Sequence, residues 1–322
     1  MYYIAITTTG IFSCALLLWL IREIFWIGRL RAPEIPHTLL IGGPARERGE
    51  SIPKIIWSYW HELPEPEFIT RCFANWQRMA PDHDIRVLQD STLPLWLEGD
   101  APLAQLANLP AYRRADWLRL QLLQAYGGIW IDASTLLTQD LCWLHDTQNH
   151  NRCDYVGYYI QRYSTSHDQP IVENWFMAAV PSSPFIRDLT SEFALALTLG
   201  EKGYLRELEK NDLRERVVQG LGNMQEYLIM HVAAAVVLNT NQQPYRLALT
   251  RAEDSAFLFL ANLGWSRTRM YIRLALSRCP SRLPAVIKFR GHDRKVLEKG
   301  LAKRWLLPSS LLAKFLYPQD GR

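Results

Sequence analysis

The chain has 322 residues, of which 48% are hydrophobic, with 12 Trp, 14 Tyr and a formal net charge of +4. That is enough to bury the core of one large α/β domain, with or without a small subdomain. Five irregularly spaced cysteines are poor material for a disulfide framework and agree with a reducing compartment, and no helix-turn-helix, zinc-finger or RNA-binding signature points to nucleic acid.

Met1 to Ile21 carries no charged side chain, and Ile4–Ile21 is 18 residues of apolar character. This is the lower limit for a transmembrane helix. A cleaved signal peptide would want a basic residue before the run and a small-x-small site after it; neither is present, so residues 1–30 read as an uncleaved membrane anchor. Arg22, Arg29 and Arg31 follow the run and nothing basic precedes it. The positive-inside rule then places the rest of the chain in the cytoplasm, on an inner or plasma membrane. Residues 31–51 are rich in Pro, Gly and charge and read as a juxtamembrane linker.

A domain over 52–295 opens with Ile52–Trp60, a buried-strand pattern. A helix is predicted over Pro66–Met79 from Phe68, Ile69, Cys72, Phe73 and Trp76 at helical spacing. A strand over Asp84–Gln89 follows, and the three together predict a Rossmann-like βαβ unit. Tyr112–Tyr126 is the strongest helical pattern, stopped by Gly127-Gly128. Ile129–Ile131 is a short strand running into Asp132. Tyr155–Ile160 and Trp175–Val180 are further strands, Phe185–Leu199, Asn223–Leu238 and Glu253–Ala261 are helical, and Ala285–Phe289 is a late strand. From Trp265 onward there are 14 Lys/Arg against 3 Asp/Glu, so residues 296–322 read as a basic amphipathic tail. Such a tail suits anionic lipid or a phosphate-bearing acceptor. Leu301–Tyr317 is expected at a membrane surface, with packing on the domain as its alternative.

The chemistry concentrates between Arg114 and Ser134. Asp116 and Arg119 lie three apart on one helix face and can pair. The short strand delivers Asp132 to its carboxyl end, where ligands bind in open α/β sheets. A carboxylate there can hold a divalent cation against a diphosphate. Each feature has a plainer reading: an aspartate in a turn, a surface ion pair, a glycine turn. It is their combination that favours a site. The carboxylate is expected to be exposed, so removing it should cost little stability.

Four segments resemble the capsular polysaccharide synthesis protein family and, more broadly, the sugar transferases that carry an Asp-x-Asp motif. They are IPKIIWSYW (52–60), FANWQRMAPDHDIRVLQD (73–90), RRADWLRLQLLQAYGGIWIDAS (113–134) and ENWFMAAVPSSPFI (173–186); IKFRGHD (287–293) matches more loosely. The resemblance implies a GT-A fold, a Rossmann-type sheet flanked by helices. It implies a hexosyltransferase, usually retaining, that uses a nucleotide-sugar donor and a glycan or lipid-linked acceptor, in capsule or cell-surface polysaccharide synthesis. It places Trp57, Trp60, Asp116, Arg119, Gly128 and Asp132 at the donor, and Asp132 and Asn174 at the reacting centre. It implies a divalent metal, Mn²⁺ or Mg²⁺, on Asp132 with support from Ser134 or His292. Ser134 departs from the motif, since a hydroxyl replaces the second carboxylate. Without a metal, the positive charge would come from Arg119, Lys288 or Arg290. The alternatives in other classes are a silent nucleotide-sugar-binding or scaffold protein and a sugar-phosphate transferase.

Overall fold

The computed structural model describes residues 17–19, 21–42, 50–97, 109–165, 169–240 and 245–318. Most of the expected anchor lies outside these residues. Among the described residues, no helix is long and apolar enough to cross a membrane. Residues 21–29 are helical and expose Ile21, Ile24, Phe25 and Trp26, while Ile27 is buried. This helix is tied to the domain: Arg269 pairs with Glu23 at 2.9 Å, and Arg273 donates twice to Leu30 O.

The described elements are β1 (Thr38–Ile41), β2 (Ile55–Tyr59), α1 (Glu67–Met79), β3 (Asp84–Leu88), α2 (Ala111–Tyr126), β4 (Gly128–Ile131) and β5 (Thr135–Leu137). They continue with α3 (Cys142–Asn151), β6 (Tyr155–Ile160), β7 (Ile171–Ala179), α4 (Pro184–Leu199), α5 (Glu201–Lys210), α6 (Arg214–Val218) and α7 (Ile229–Thr240). The last are β8 (Leu247–Arg251), α8 (Leu258–Ala261), α9 (Arg267–Ala275), β9 (Val286–Lys288), α10 (Gly291–Ala302) and α11 (Leu311–Leu316).

The architecture is α/β. Seven strands form a mixed sheet in the order β1-β8-β6-β7-β4-β2-β3, and β5 and β9 form a separate antiparallel pair. The βαβ unit is present: β2 and β3 are parallel neighbours joined through α1. Its helix buries the five apolar residues that predicted it. β4 lies parallel to β2 on the other side, so the carboxyl ends of β2, β3 and β4 share one edge of the sheet.

Two boundaries change. The segment read as a linker contributes a strand, since β1 pairs antiparallel with β8. The sheet therefore reaches back to Thr38, and its edge is closed by a four-residue strand, TLLI, set in a Pro- and Gly-rich segment and too short to show a pattern of its own. The basic tail, in turn, is continuous with the domain. α11 buries Leu311, Leu312, Phe315 and Leu316, packing against α1 and α9, while Trp305 and Leu307 stay exposed. The helix read over Asn223–Leu238 begins only at Ile229, as α7; the residues before it include the end of a 3-10 segment, Gln219–Met224, which Gly222 breaks at φ 53°.

Candidate functional site

The site is assembled from α2, β4, β7 and the β5–β9 ribbon. α2 carries Arg113, Asp116 and Arg119 on one buried face. Asp116 pairs with Arg113 at 3.0 Å and with Arg119 at 3.2 Å. From β7, the Asn174 Nδ2 donates to Asp116 Oδ1 at 2.9 Å, and Asn174 O accepts from Arg119 Nη1 at 2.7 Å. Burial raises the Asp116 carboxyl, against the pull of Arg119 and Arg113.

Asp132 follows β4 directly, and its own amide donates to Trp175 O on β7. Three donors converge on its carboxylate. Trp130 Nε1 lies 2.9 Å and Arg119 Nη2 3.2 Å from Oδ1; Lys288 Nζ lies 2.8 Å from Oδ2. Lys288 arrives because β9 pairs with β5, placing it opposite Thr135. The same ammonium is 3.2 Å from Ser134 Oγ, which donates to Phe289 O at 2.7 Å. Lys288 is 8% exposed and Arg119 4%, whereas Asp132 is 27% exposed and open to an incoming ligand. Burial would raise the Asp132 carboxyl, but Lys288 and then Arg119 outweigh it and hold it below the ordinary carboxylate value.

Asp116, Arg119, Asp132, Ser134 and Asn174 are thus one connected cluster. The expectation that Asp132 could be removed at little cost does not survive, because two nearly buried cations depend on it. Trp60 ends β2 half-buried, with the Arg294 guanidinium 4.9 Å above its ring. Trp57 is a core residue instead: it is fully buried and donates to Gly127 O at 2.9 Å, out of reach of a nucleotide base. Gly128 is also structural. Its φ is +97°, and a Cβ there would stand 2.7 Å from Ile55 O. β4 can lie beside β2 only with no side chain at that position. His292 is exposed in the first turn of α10 and makes no hydrogen bond or ion pair with Asp132 or Ser134.

Arg113 and Trp130 were missed by sequence reasoning, though both had a signal. Arg113 is three residues before Asp116 on a helix, and Trp130 is two before Asp132 on a strand, so each shares a face with its partner. Beside the cluster, the exposed Tyr112 and Tyr227 rings lie 5.7 Å apart.

Residues 38–196 match the family described as capsular polysaccharide synthesis protein. This region, just under half of the chain, is similar to that family. A curated relative, O-glycosyltransferase braB of Annulohypoxylon truncatum, is 28% identical over 160 residues, covering 42% of this chain and 35% of the relative. The chain therefore matches only about a third of that protein's length. Among solved structures, the galactosyltransferase LgtC with donor and acceptor sugar analogues aligns at a TM-score of 0.38 and 11% identity, covering 74% of this chain and 87% of that one. The PaToxG glycosyltransferase aligns at 0.32 and 13%, covering 70% and 85%. The UDP-bound glycosyltransferase domain of the YGT toxin aligns at 0.30 and 11%, covering 56% and 67%. These scores are too low for the likeness to carry the chemistry.

The residues of this site do not fit a divalent metal. A carboxylate offers about four lone-pair directions, and at Asp132 three donors take all but one of them. The hydroxyl of Ser134 is engaged with Phe289 O. A divalent ion sharing the carboxylate with Lys288, ~4 Å away, would be opposed by about 8 kcal/mol at an effective dielectric of about 20. Among the described residues, no group of three or more His, Cys, Asp or Glu side chains is placed to hold a metal.

Proposed function

We propose that the chain is a glycosyltransferase. It moves a hexose-type sugar from a nucleotide-sugar donor to a hydroxyl of a polysaccharide or lipid-linked oligosaccharide, in capsule or cell-surface polysaccharide synthesis. The observation that carries this reading is the cluster of Asp116, Arg119, Asp132 and Lys288 at the carboxyl end of β4. Asp116, Arg119 and Asp132 lie on the segment that matches the family and Lys288 comes from outside it; the cluster stands at the sheet edge where α/β proteins bind ligands.

The arrangement supports a division of labour. Trp60, at the end of β2, offers a ring face to the base. Asp116, locked by Arg113, Arg119 and Asn174, presents a rigid polar wall to the ribose and sugar. Preorganisation of this kind lowers the barrier by positioning. Retention at the anomeric carbon, which the resemblance implies, would proceed by front-face attack, since among the described residues of the cluster no side chain stands free as a nucleophile.

The same reading includes membrane attachment through the N-terminal segment, with the domain cytoplasmic. The exposed Ile21, Ile24, Phe25 and Trp26 beside Arg22 and Arg29 support it. A reporter fused after Arg322 should behave as cytoplasmic; exported reporter activity would overturn the orientation.

The activity is tested by incubating the purified full chain with a panel of nucleotide sugars and following nucleoside diphosphate release, with product analysis. A glycosidic product is expected. A phosphodiester product would make it a sugar-phosphate transferase, and no turnover of any donor would make it a binding or scaffold protein.

A further inference from the structure

An ammonium group occupies the place between Asp132 and Ser134 where an Asp-x-Asp site would hold its cation. Lys288 Nζ is 2.8 Å from Asp132 Oδ2 and 3.2 Å from Ser134 Oγ. The charge arithmetic is the same in both cases. Two carboxylates and a divalent ion sum to zero, and so do one carboxylate and one ammonium. The loss of the second carboxylate at Ser134 and the arrival of Lys288 are therefore complementary. Each alone would leave a net charge in a site of low water access.

We propose that Lys288 is the resident cation of this site and that the chain binds and cleaves its donor without a divalent metal. The inference rests on the glycosyltransferase reading above. In the step, the bond between the anomeric carbon and the diphosphate oxygen breaks, and its electron pair leaves on the diphosphate. The acceptor hydroxyl oxygen forms the new bond to the anomeric carbon, and its proton passes to the departing diphosphate. Lys288 has three N–H donors. Two point to Asp132 and Ser134, leaving one for the oxygen on which charge develops. Fixed donors aimed at developing charge are usually the largest single contribution to catalysis. Asp132 is then a positioning residue. It aims Lys288, while Arg119, held by Asp116, Asp132 and Asn174 O, aims Asp132. Ser134 steers the ammonium through an oxygen that is itself fixed on Phe289 O.

The test uses the purified full chain, stripped with EDTA. Binding of UDP and of GDP is measured by calorimetry, and donor turnover by nucleoside diphosphate release, each with EDTA and with Mn²⁺ or Mg²⁺. One of the two nucleotides should bind equally well under both conditions, and turnover should persist in EDTA within about 2-fold. Lys288→Met should weaken that nucleotide at least ~10-fold and slow turnover ~100-fold, while Lys288→Arg, which keeps the charge, should recover part of the binding. A thermal melt of each variant separates these losses from unfolding. Turnover abolished by EDTA and restored by Mn²⁺ would overturn the metal-free proposal and leave the glycosyltransferase reading standing. Undiminished nucleotide binding by a folded Lys288→Met chain would overturn the role of Lys288. No nucleotide binding and no turnover under any condition would overturn both readings.

Discussion

Lys288 Nζ stands 2.8 Å from Asp132 Oδ2, across 156 residues of sequence. The contact joins the end of a sheet strand to a two-stranded ribbon outside the sheet. It closes a chain of alternating charge that runs Arg113, Asp116, Arg119, Asp132, Lys288. Asp132 is the member whose removal leaves a cation unpaired, since Arg119 keeps Asp116 while Lys288 pairs with Asp132 alone among the described residues, and this governs how variants will behave.

Asp132→Ala should be both inactive and unstable. It strands Lys288, less than a tenth exposed, and leaves the equally buried Arg119 with Asp116 as its one remaining carboxylate partner. Breaking a buried pair in this way costs about 3–5 kcal/mol, which lowers the melting temperature on the order of 10 °C in a domain of this size. Turnover should fall ~100-fold or more. A melt within ~2 °C of the parent would show that the two cations find other partners.

The acid limb of stability should carry the signature of Asp132. Its carboxyl is held below the ordinary value of 3.8 by Lys288 and Arg119, against burial. A depressed folded value means the ionised group stabilises the fold fully above 3.8 and loses that contribution as pH falls through the lower folded value. Denaturant midpoints of the parent and Asp132→Asn, measured from pH 7 to pH 2, should therefore differ by a constant amount above about pH 5 and converge below about pH 4. A gap that stayed constant to pH 2 would mean that the carboxylate is not the source of the difference.

Gly128→Ala should damage the fold rather than the chemistry. The new Cβ would meet Ile55 O at 2.7 Å with the backbone at φ +97°. A strained conformation of this kind costs about 1–3 kcal/mol before the clash is counted. The expected readout is a lower melt with little change in nucleotide affinity per folded molecule. A stable variant with lost affinity would return Gly128 to the donor site.

Trp57 and Trp60 should separate cleanly. Trp57→Phe leaves the buried Gly127 O without its donor, costing about 1–3 kcal/mol and leaving affinity for UDP or GDP intact. Trp60→Ala should instead weaken nucleotide binding at least several-fold, with a melt close to the parent. Equal affinity in both variants would remove Trp60 from the base site.

Much of the site was legible because it is local. The spacing of three between Asp116 and Arg119, the glycine stop at Gly127-Gly128 and the short strand into Asp132 all sit within a single helix-turn-strand unit, whose geometry follows from helix and strand periodicity. The βαβ opening was legible for the same reason: the apolar face of α1 is written at helical spacing. Where reading failed, the local pattern was silent. β1 is four residues long with alternating exposure, and nothing near Thr38–Ile41 announces that β8 will pair with it. Trp57 and Trp60 look alike in the sequence, yet Trp57 sits mid-strand against Trp96 and Tyr126 and Trp60 lies one residue past the end of β2.

The sequence by itself determined the α/β class, the helix that carries Asp116 and Arg119, and the position of Asp132 at a strand end. These depend on contacts within about four residues on a helix or two on a strand. Only the tertiary structure decided what surrounds that carboxylate. The β5–β9 register sets Lys288 opposite Thr135, and pairing across such a distance is specified by the packing of the whole domain and not by any local preference of the chain.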